Sequence, residues 1–386
     1  MKKNSSVSRV LERFSMICFI EAQCKKWEHN QVNAGFVKLV KSITDEECQF
    51  WGEKEHICNL KKMTEFDSVE IHEIDLPELI VDSSKNQQEY YDIFKPIFSY
   101  LGKYKDVKII FLSAHKGIVL SNVDLAKEYP DYRIFLTMHS IMEQLYHKNT
   151  WFHKCYRIVL RGEHNLDWVL KKADDACPNL KFIIYVPGYK ERINKTLPQY
   201  VVDKFIFMHH PYVFNNINEI KDKRNNDAIA VIGAAVNKNA VDITKHCASS
   251  TMFNIVQRTK VKIEGKNVNI LSKGKETTAK DIQECIDCSD WMLIPYSKNQ
   301  YRLTASGIFW DSIANNKPII ALGSAYLKDY MEKYQIGIWE EKNKKLCERI
   351  KNLDKENYRQ FSKEISKFIK IIEEENERII SDILLK

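Results

Sequence analysis

The segment DWMLIPYSKNQYRLTASGIFWDSIANNKPIIALG, residues 290–323, decides the fold class that we predict for this chain. In it an apolar run is followed by a polar loop, a helical pattern, an Asn-Lys-Pro turn and a second apolar run. That order is typical of a strand–helix–strand unit in a parallel sheet. Ser306 and Gly307 stand where the loop becomes the helix, so the segment predicts a helix start whose backbone amides attract an anion.

The same alternation of short apolar runs and helical patterns extends over most of the chain. The runs are apolar on consecutive residues, as in strands that are covered on both faces. They lie at 15–22, 106–113, 132–138, 156–162, 181–187, 204–210, 228–235, 260–266, 267–273, 291–296 and 318–323. The stretch 211–227 becomes polar after its first few residues, which indicates a domain boundary. We therefore predict an α/β fold of two domains followed by amphipathic helices.

Composition narrows the class of function. A chain of 386 residues exceeds the size at which one core usually keeps growing, and 44% hydrophobic and 29% charged residues are globular values. The net charge of +7 is spread along the chain, which fits anionic small molecules or an anionic membrane surface and disfavours nucleic acid. The 10 scattered cysteines predict reduced thiols in a cytoplasmic protein. We interpret the apolar run near the N-terminus as a buried strand and not as an export signal.

Polar side chains follow the apolar runs of the first half. Ligands of parallel sheets bind beyond the carboxyl ends of the strands, so these side chains predict a polar site. The residues are Glu21, His29, Asn33, His115, His139, Glu163, His164 and His209. For any one histidine, a hydrogen bond to a loop carbonyl is an equally ordinary use of the ring.

The loops of the second half carry cations and small residues, which suit phosphate oxygens. Lys238, Lys275 and Arg302 are the leading cations. Asp311 lies about one helical turn beyond Gly307, within reach of the ribose of a nucleotide whose diphosphate sits at the helix start. The alternative is that Asp311 only favours the positive end of the helix.

The second half resembles the donor-binding domain of GT-B glycosyltransferases, particularly the retaining enzymes that use nucleotide sugars. The strand DWMLIPY, the segment DSIANNKPIIAL and the loop GAAVNKNA carry the resemblance. Asp311 stands where the family has the second of two glutamates, and the first would fall at Leu303. The loop YRLTASG is similar to a variant seen in some bacterial surface-polysaccharide transferases. In the first half, RIFLTMHS and EHNQVNAGFVKLVKSI resemble the acceptor domain more loosely.

The resemblance implies an architecture and a set of sites. It implies two Rossmann-like doubly wound domains that face a central cleft: residues 1–215 bind the acceptor, residues 228–350 bind the donor, and helices within 351–386 cross back to the first domain. The implied donor-binding residues are Gly233, Lys238, Lys275, Tyr301, Arg302, Ser306, Gly307 and Asp311. The implied acceptor-binding residues are His29 and Asn33, and the catalytic candidates are His139, Glu163 and His115.

The function implied is a glycosyltransferase of the hexosyltransferase type in bacterial polysaccharide biosynthesis. It would move a sugar with retention of configuration from a nucleotide donor, most simply a UDP-sugar, to a saccharide or lipid-linked acceptor. We expect no cofactor and no metal, because no Asp-x-Asp motif falls in a strand-end loop and cations take the place of Mg²⁺. We expect a cytoplasmic protein with peripheral contact at the inner face of the membrane. Two alternatives stay open: a nucleotide-sugar epimerase, and a non-catalytic sugar- or nucleotide-binding protein.

Overall fold

The fold is taken from a computed structural model. It describes residues 15–63, 66, 68–77, 82–146, 163–173, 177–214, 228–247, 249–256, 263–272 and 278–385. The predicted strand at 156–162, residues 260–262 of the one predicted at 260–266, and Lys275 lie outside these residues. Residues 263–266 are described and do not form a strand, so the prediction is wrong there. The contacts divide the chain into two compact units. The first unit runs to Ile184 and also holds 188–207 and Leu384, and the second holds Tyr185–Pro187 and Met208–Ile383.

The first unit contains a seven-stranded sheet in which every pairing is parallel. The strands are β1 Met16–Glu21, β2 Glu47–Gly52, β3 Val69–Glu73, β4 Val107–Ser113, β5 Arg133–Thr137, β6 Leu180–Ile184 and β7 Phe205–Phe207. Their spatial order is β3-β2-β1-β4-β5-β6-β7. The helices between them are α1 Asn30–Ile43, α2 Lys54–Leu60, α3 Gln87–Leu101, α4 Lys116–Glu128, α5 Leu166–Lys171, α6 Lys190–Asn194 and α7 Gln199–Val202. All residues of β1 and β4 are buried, because helices cover both faces of a doubly wound sheet.

The second unit repeats this plan with a six-stranded parallel sheet. The strands are β8 Ile229–Ile232, β9 Phe253–Val256, β10 Val268–Ser272, β11 Trp291–Pro295, β12 Ile319–Leu322 and β13 Gly337–Glu340. Their order is β10-β9-β8-β11-β12-β13. The helices are α8 Lys238–Cys247, α9 Ala279–Asp287, α10 Gly307–Ala314, α11 Ala325–Tyr334, α12 Asn343–Ile350 and α13 Lys355–Leu384. The prediction of two Rossmann-like α/β domains is confirmed.

The structure contains four strands that the apolar runs did not predict: β2, β3, β9 and β13. Strand β3 reads VEIHE, in which only Val69 and Ile71 are apolar, and it lies at one edge of the first sheet. Strand β9 reads FNIV and strand β13 reads GIWE, so neither contains more than two consecutive apolar residues and neither forms a continuous apolar run.

The carboxylate of Glu21 joins three elements of the first unit. Glu21 is fully buried at the end of β1. Its Oε1 accepts hydrogen bonds from the backbone N–H groups of Gln23 and Cys24, both at 2.9 Å, and from the hydroxyl of Ser113. Its Oε2 accepts one from Nδ2 of Asn33 at 2.6 Å. The ends of β1 and β4 and the first turn of α1 are therefore held by one side chain.

We expect Glu21→Gln to lower the free energy of unfolding by about 3 kcal/mol at pH 7, because an amide nitrogen would replace one of the two oxygens that accept these buried hydrogen bonds. Burial acts to raise the pKa of Glu21, but His56 and the hydrogen bonds outweigh it and lower the pKa. The loss should therefore be full above the ordinary pKa of a glutamate and should shrink as the pH falls further. Urea unfolding across this pH range measures it.

Glu53→Gln is the matched control for this experiment. The Glu53 carboxylate also accepts backbone hydrogen bonds, from Lys26, Glu55 and His56, but it is partly exposed at the start of α2. We expect a loss of about 1 kcal/mol there, as for other helix caps. Equal losses at both positions would contradict a special role of Glu21.

Candidate functional site

Both sheets reverse their winding direction next to their first strand. The reversal lies between β1 and β4 in the first unit and between β8 and β11 in the second. The loops that leave the carboxyl ends of two such strands run in opposite directions, which opens a crevice where ligands of this fold class bind. The residues that follow β8 and β11 therefore form the candidate site of the second unit.

Helix α10 begins at Gly307 with Ser306 as its cap, as predicted from the sequence. The Ser306 Oγ accepts from the backbone N–H of Phe309 at 3.3 Å and shares a hydrogen bond of 2.9 Å with the hydroxyl of Tyr296. The backbone N–H groups of Gly307 and Ile308 donate to no described residue. The exposed start of α10 thus carries the amide donors that an anion needs.

Ser306 was predicted as a donor-binding residue, and this stays a prediction. Ser306 is fully buried, and its hydroxyl is engaged both in the helix cap and with Tyr296. A ligand would have to break these bonds to reach it. The backbone amides that follow the serine are therefore the groups of this pair that a ligand could reach.

The loop after β8 packs against the start of α10. Gly233 has φ of 52°, in the left-handed region, and a Cβ at this position would lie 3.5 Å from Cδ1 of Ile308. The side-chain amides of Asn237 and Asn239 both donate to the carbonyl oxygen of Pro295, at 3.1 and 3.2 Å. These contacts hold the loops after β8 and β11 together at one edge of the sheet.

Two of the three predicted cations, Lys238 and Arg302, lie at or within these loops. Lys238 is the first residue of α8 and is exposed, and Arg302 is half-buried in the loop after β11. Tyr301 has φ of 56°, and its ring lies 4.4 Å from the ring of Tyr296. Leu303, where the resembling family has a glutamate, is fully buried and offers no polar group.

Asp311 lies one turn into α10 and is half-buried. Its Oδ1 accepts a hydrogen bond from the hydroxyl of Tyr212. Burial raises the pKa of Asp311 to about 6, and the hydrogen bond from Tyr212 opposes this rise. Trp310, the residue before it, stacks on His210 with ring centroids 5.6 Å apart.

The segment 208–214, which we call the connector, was not assigned to this site from the sequence. Its His209 backbone N–H donates to Oδ1 of Asn376 at 2.9 Å, and its imidazole lies 2.9 Å from the carboxylate of Glu375 and 3.3 Å from the hydroxyl of Tyr330. These bonds fix the connector to α11 and α13. The aromatic run HHPYVF at 209–214 was the available signal, since such a run is unusual before a polar boundary.

In the first unit, the structure brings together two of the predicted histidines. His139 follows β5, and its ring lies 4.3 Å from the ring of His29. His29 is exposed, has φ of 52° and lies with its Nδ1 3.1 Å from the sulfur of Cys24. Burial raises the pKa of the Cys24 thiol well above its usual value, so the thiol stays protonated and is not an activated nucleophile.

The other two catalytic candidates flank the start of α4. The Nδ1 of His115 accepts from the backbone N–H of Gly117 at 3.2 Å, which caps the helix. Burial lowers the pKa of His115 to about 4, so the ring is neutral near pH 7 and is a weak proton acceptor. The carboxylate of Glu163 is 2.6 Å from the ammonium of Lys116. The structure therefore gives both residues internal partners.

Asn33 was predicted as an acceptor-binding residue, and this also stays a prediction. Only 1% of Asn33 is exposed. Its amide nitrogen donates to Glu21 and lies 3.0 Å from Nε2 of His56. Contact with an acceptor would cost these buried hydrogen bonds, so Asn33 supports the fold of the first unit.

Two further features concern metals and membranes. Within the described ranges, no group of three His, Cys, Asp or Glu side chains is arranged to hold a metal ion. No helix in that part of the chain combines the length and the apolar character that a bilayer crossing requires.

Comparison with known proteins identifies a fold. No family model matches the chain, and no curated protein matches it in sequence. Among solved structures, HepE from Anabaena in complex with UDP and glucose is similar with a TM-score of 0.58 and 11% identity, over 96% of this chain and 95% of HepE. A TarM variant from S. aureus, in complex with fondaparinux, alpha-GlcNAc-glycerol and UDP, gives 0.54 and 12%, over 75% of this chain and 58% of TarM. The N-terminal domain of trehalose-6-phosphate phosphatase from Candida albicans gives 0.59 and 8%, over 100% and 98%.

At such identities the likeness establishes the fold alone. The chain has the GT-B fold that the sequence resemblance implied. It spans 58% of the TarM chain and nearly the whole of the other two. Because one fold hosts unrelated functions, the function has to come from the site.

We expect Asp311→Asn to change how stability depends on pH. A carboxyl whose pKa is raised on folding stabilises the fold below its unfolded pKa, and that contribution is lost as the pH rises through about 6. Relative to the variant, the wild type should lose up to about 3 kcal/mol of unfolding free energy between pH 4 and pH 7. Urea titrations at several pH values measure this difference.

Asp203→Asn is the control, since that exposed carboxylate also accepts one side-chain hydrogen bond, from Gln199 at 2.7 Å. Its pH curve should follow the wild type. A parallel pH dependence for the wild type and Asp311→Asn would rule out a raised pKa at Asp311.

Proposed function

We propose that this chain is a glycosyltransferase that moves a sugar from a nucleoside diphosphate donor, a UDP-sugar, to a saccharide or lipid-linked saccharide acceptor. The observation that carries the proposal is the exposed start of α10, whose first amides lie beside the loop after β8 with Asp311 one turn below. HepE and TarM, which share the fold, were solved with UDP, and this supports UDP as the nucleotide.

The donor would bind with its diphosphate at the start of α10. The amides of Gly307 and Ile308 donate to phosphate oxygens, and the positive end of the helix dipole favours their charge. Lys238 and Arg302, on the two loops at this edge, neutralise the remaining charge. Asp311 accepts hydrogen bonds from the ribose hydroxyls.

The chemical step breaks the bond between the sugar and the diphosphate, and an acceptor oxygen forms the new bond to the anomeric carbon. Negative charge grows on the departing diphosphate in the transition state. Lys238, Arg302 and the amides of α10 stabilise that charge in fixed positions, which is an electrostatic role that a metal ion fills in other enzymes. We propose a hexosyltransferase that proceeds without a metal and with retention of configuration.

Among the three catalytic candidates, His139 is the residue that we propose to contact the sugar. Its neighbour His29 is exposed, so a ligand can reach this pair, and we propose His29 as an acceptor contact. His115 is buried in its helix cap and Glu163 is paired with Lys116, so their proposed role is to orient the start of α4.

The setting that we propose is bacterial surface-polysaccharide biosynthesis in the cytoplasm. A lipid-linked acceptor would bring the protein to the inner face of the membrane. The positive net charge supports such peripheral contact through attraction to anionic lipids.

Calorimetry with UDP, GDP and CMP tests the donor site, and a screen of common nucleotide sugars for hydrolysis tests the activity. We expect UDP to bind, and we expect the double variant Lys238→Ala/Arg302→Ala to lower turnover by about a hundredfold or more with an unchanged melting temperature. Failure of every nucleotide to bind would overturn the proposal. An isomerised sugar formed from the donor alone would indicate an epimerase.

A second prediction concerns the helix start. A Cβ added to Gly307 meets no atom within 4 Å, so Gly307→Ala should leave stability almost unchanged. The same methyl group would stand where the diphosphate approaches the amides, and we expect nucleotide affinity to fall about tenfold or more. Gly188→Ala is the matched control, because its Cβ also meets no atom within 4 Å. Unaltered affinity in Gly307→Ala would place the diphosphate elsewhere.

A further inference from the structure

The two oxygens of the Asp311 carboxylate have different surroundings. Oδ1 accepts a hydrogen bond from the hydroxyl of Tyr212, whereas Oδ2 accepts none from any described residue. An ionised carboxylate has about four lone-pair positions, so one phenol leaves most of its accepting capacity unused. A half-buried carboxylate with a single protein donor keeps lone pairs that solvent or a ligand can use.

Tyr212 is well suited to hold this carboxylate in one orientation. Burial, and then the nearby Asp311 carboxylate, raise the pKa of Tyr212 well above its usual value, so the phenol remains a donor at physiological pH. Its neighbour Val213 is buried, and His209 is bound on three sides by Tyr330, Glu375 and Asn376. The backbone of Tyr212 is thus fixed by the fold of the second unit.

We propose that Tyr212 is a positioning residue of the nucleotide site, which holds Asp311 through Oδ1 so that Oδ2 accepts hydrogen bonds from the ribose hydroxyls of the donor. This inference rests on the proposed function and deepens it. It makes the pair Tyr212–Asp311 the element that selects a ribonucleotide over a deoxyribonucleotide. A loose carboxylate would turn its free oxygen away from the ribose for much of the time, and the selection would weaken.

The consequence for specificity can be stated as a ratio of affinities. A hydrogen bond to a charged group contributes about ten- to a hundredfold in binding. The wild type should therefore bind UDP about ten- to a hundredfold more tightly than 2′-deoxy-UDP or 3′-deoxy-UDP, at least for the hydroxyl that meets Oδ2. This ratio reports on the ribose contact, and a general loss of stability would not change it.

The experiment measures the affinity for UDP, 2′-deoxy-UDP and 3′-deoxy-UDP by calorimetry in four proteins. These are the wild type, Tyr212→Phe, Asp311→Asn and Tyr330→Phe. Tyr330→Phe is the matched control, because it also removes a tyrosine hydroxyl that bonds to the connector, at His209, but not one that touches Asp311. The same three forms of GDP are measured in parallel in case the base is guanine.

We expect Asp311→Asn to lose most of the preference for the ribose form. Tyr212→Phe should still bind UDP, but its preference should fall to within a few-fold of unity, and Tyr330→Phe should keep the wild-type ratio. A wild-type ratio in Tyr212→Phe overturns the inference, as does a wild type that binds UDP without preferring ribose, and both leave the proposed function standing. A wild type that binds neither UDP nor GDP overturns the proposed function and this inference with it.

Discussion

Parallel strands can be joined only by crossovers, and in both sheets of this protein the crossovers change direction beside the first strand of the unit. Everything functional depends on this constraint. It brings the ends of β8 and β11 to one edge, where the loop of Gly233 and the start of α10 pack together. It does the same for β1 and β4, whose ends are tied by the carboxylate of Glu21. Polar residues far apart in sequence thus meet at predictable places.

The sequence predicted those parts of the fold and site that have local signals. Continuous apolar runs identified β1, β4, β8 and β11, and a serine before a glycine identified the start of α10. Strands β2, β3, β9 and β13 were missed because polar or charged residues leave each of them without a continuous apolar run. Asp311 was found from its spacing within the helix. Its partner Tyr212 was not, because the hydrogen bond spans 99 residues and no local pattern encodes such a pairing.

Polar residues at strand ends either bind a ligand or stabilise the fold, and the sequence alone does not distinguish these two roles. Asn33, His115 and Ser306 are of the types that bind ligands, yet each is committed to a helix start or to Glu21. Buried polar groups need hydrogen-bond partners. Many of the polar residues at a sheet edge therefore hydrogen-bond the loops and helix starts there and stabilise the fold. Only burial and hydrogen-bond partners distinguish them from His29 or Lys238, which are exposed at the same edges.

The connector has a consequence for dissecting and recombining proteins of this kind. It precedes the polar stretch at which a domain would ordinarily be cut, yet its tyrosine and histidines are built into the second unit. A second unit prepared from Ala228 onward would lack Tyr212, which holds Asp311. A chimera joined at that point would carry the other protein's residue in place of Tyr212. The natural junction for exchange lies just after Phe207, because Tyr212 and Asp311 then stay together in one unit.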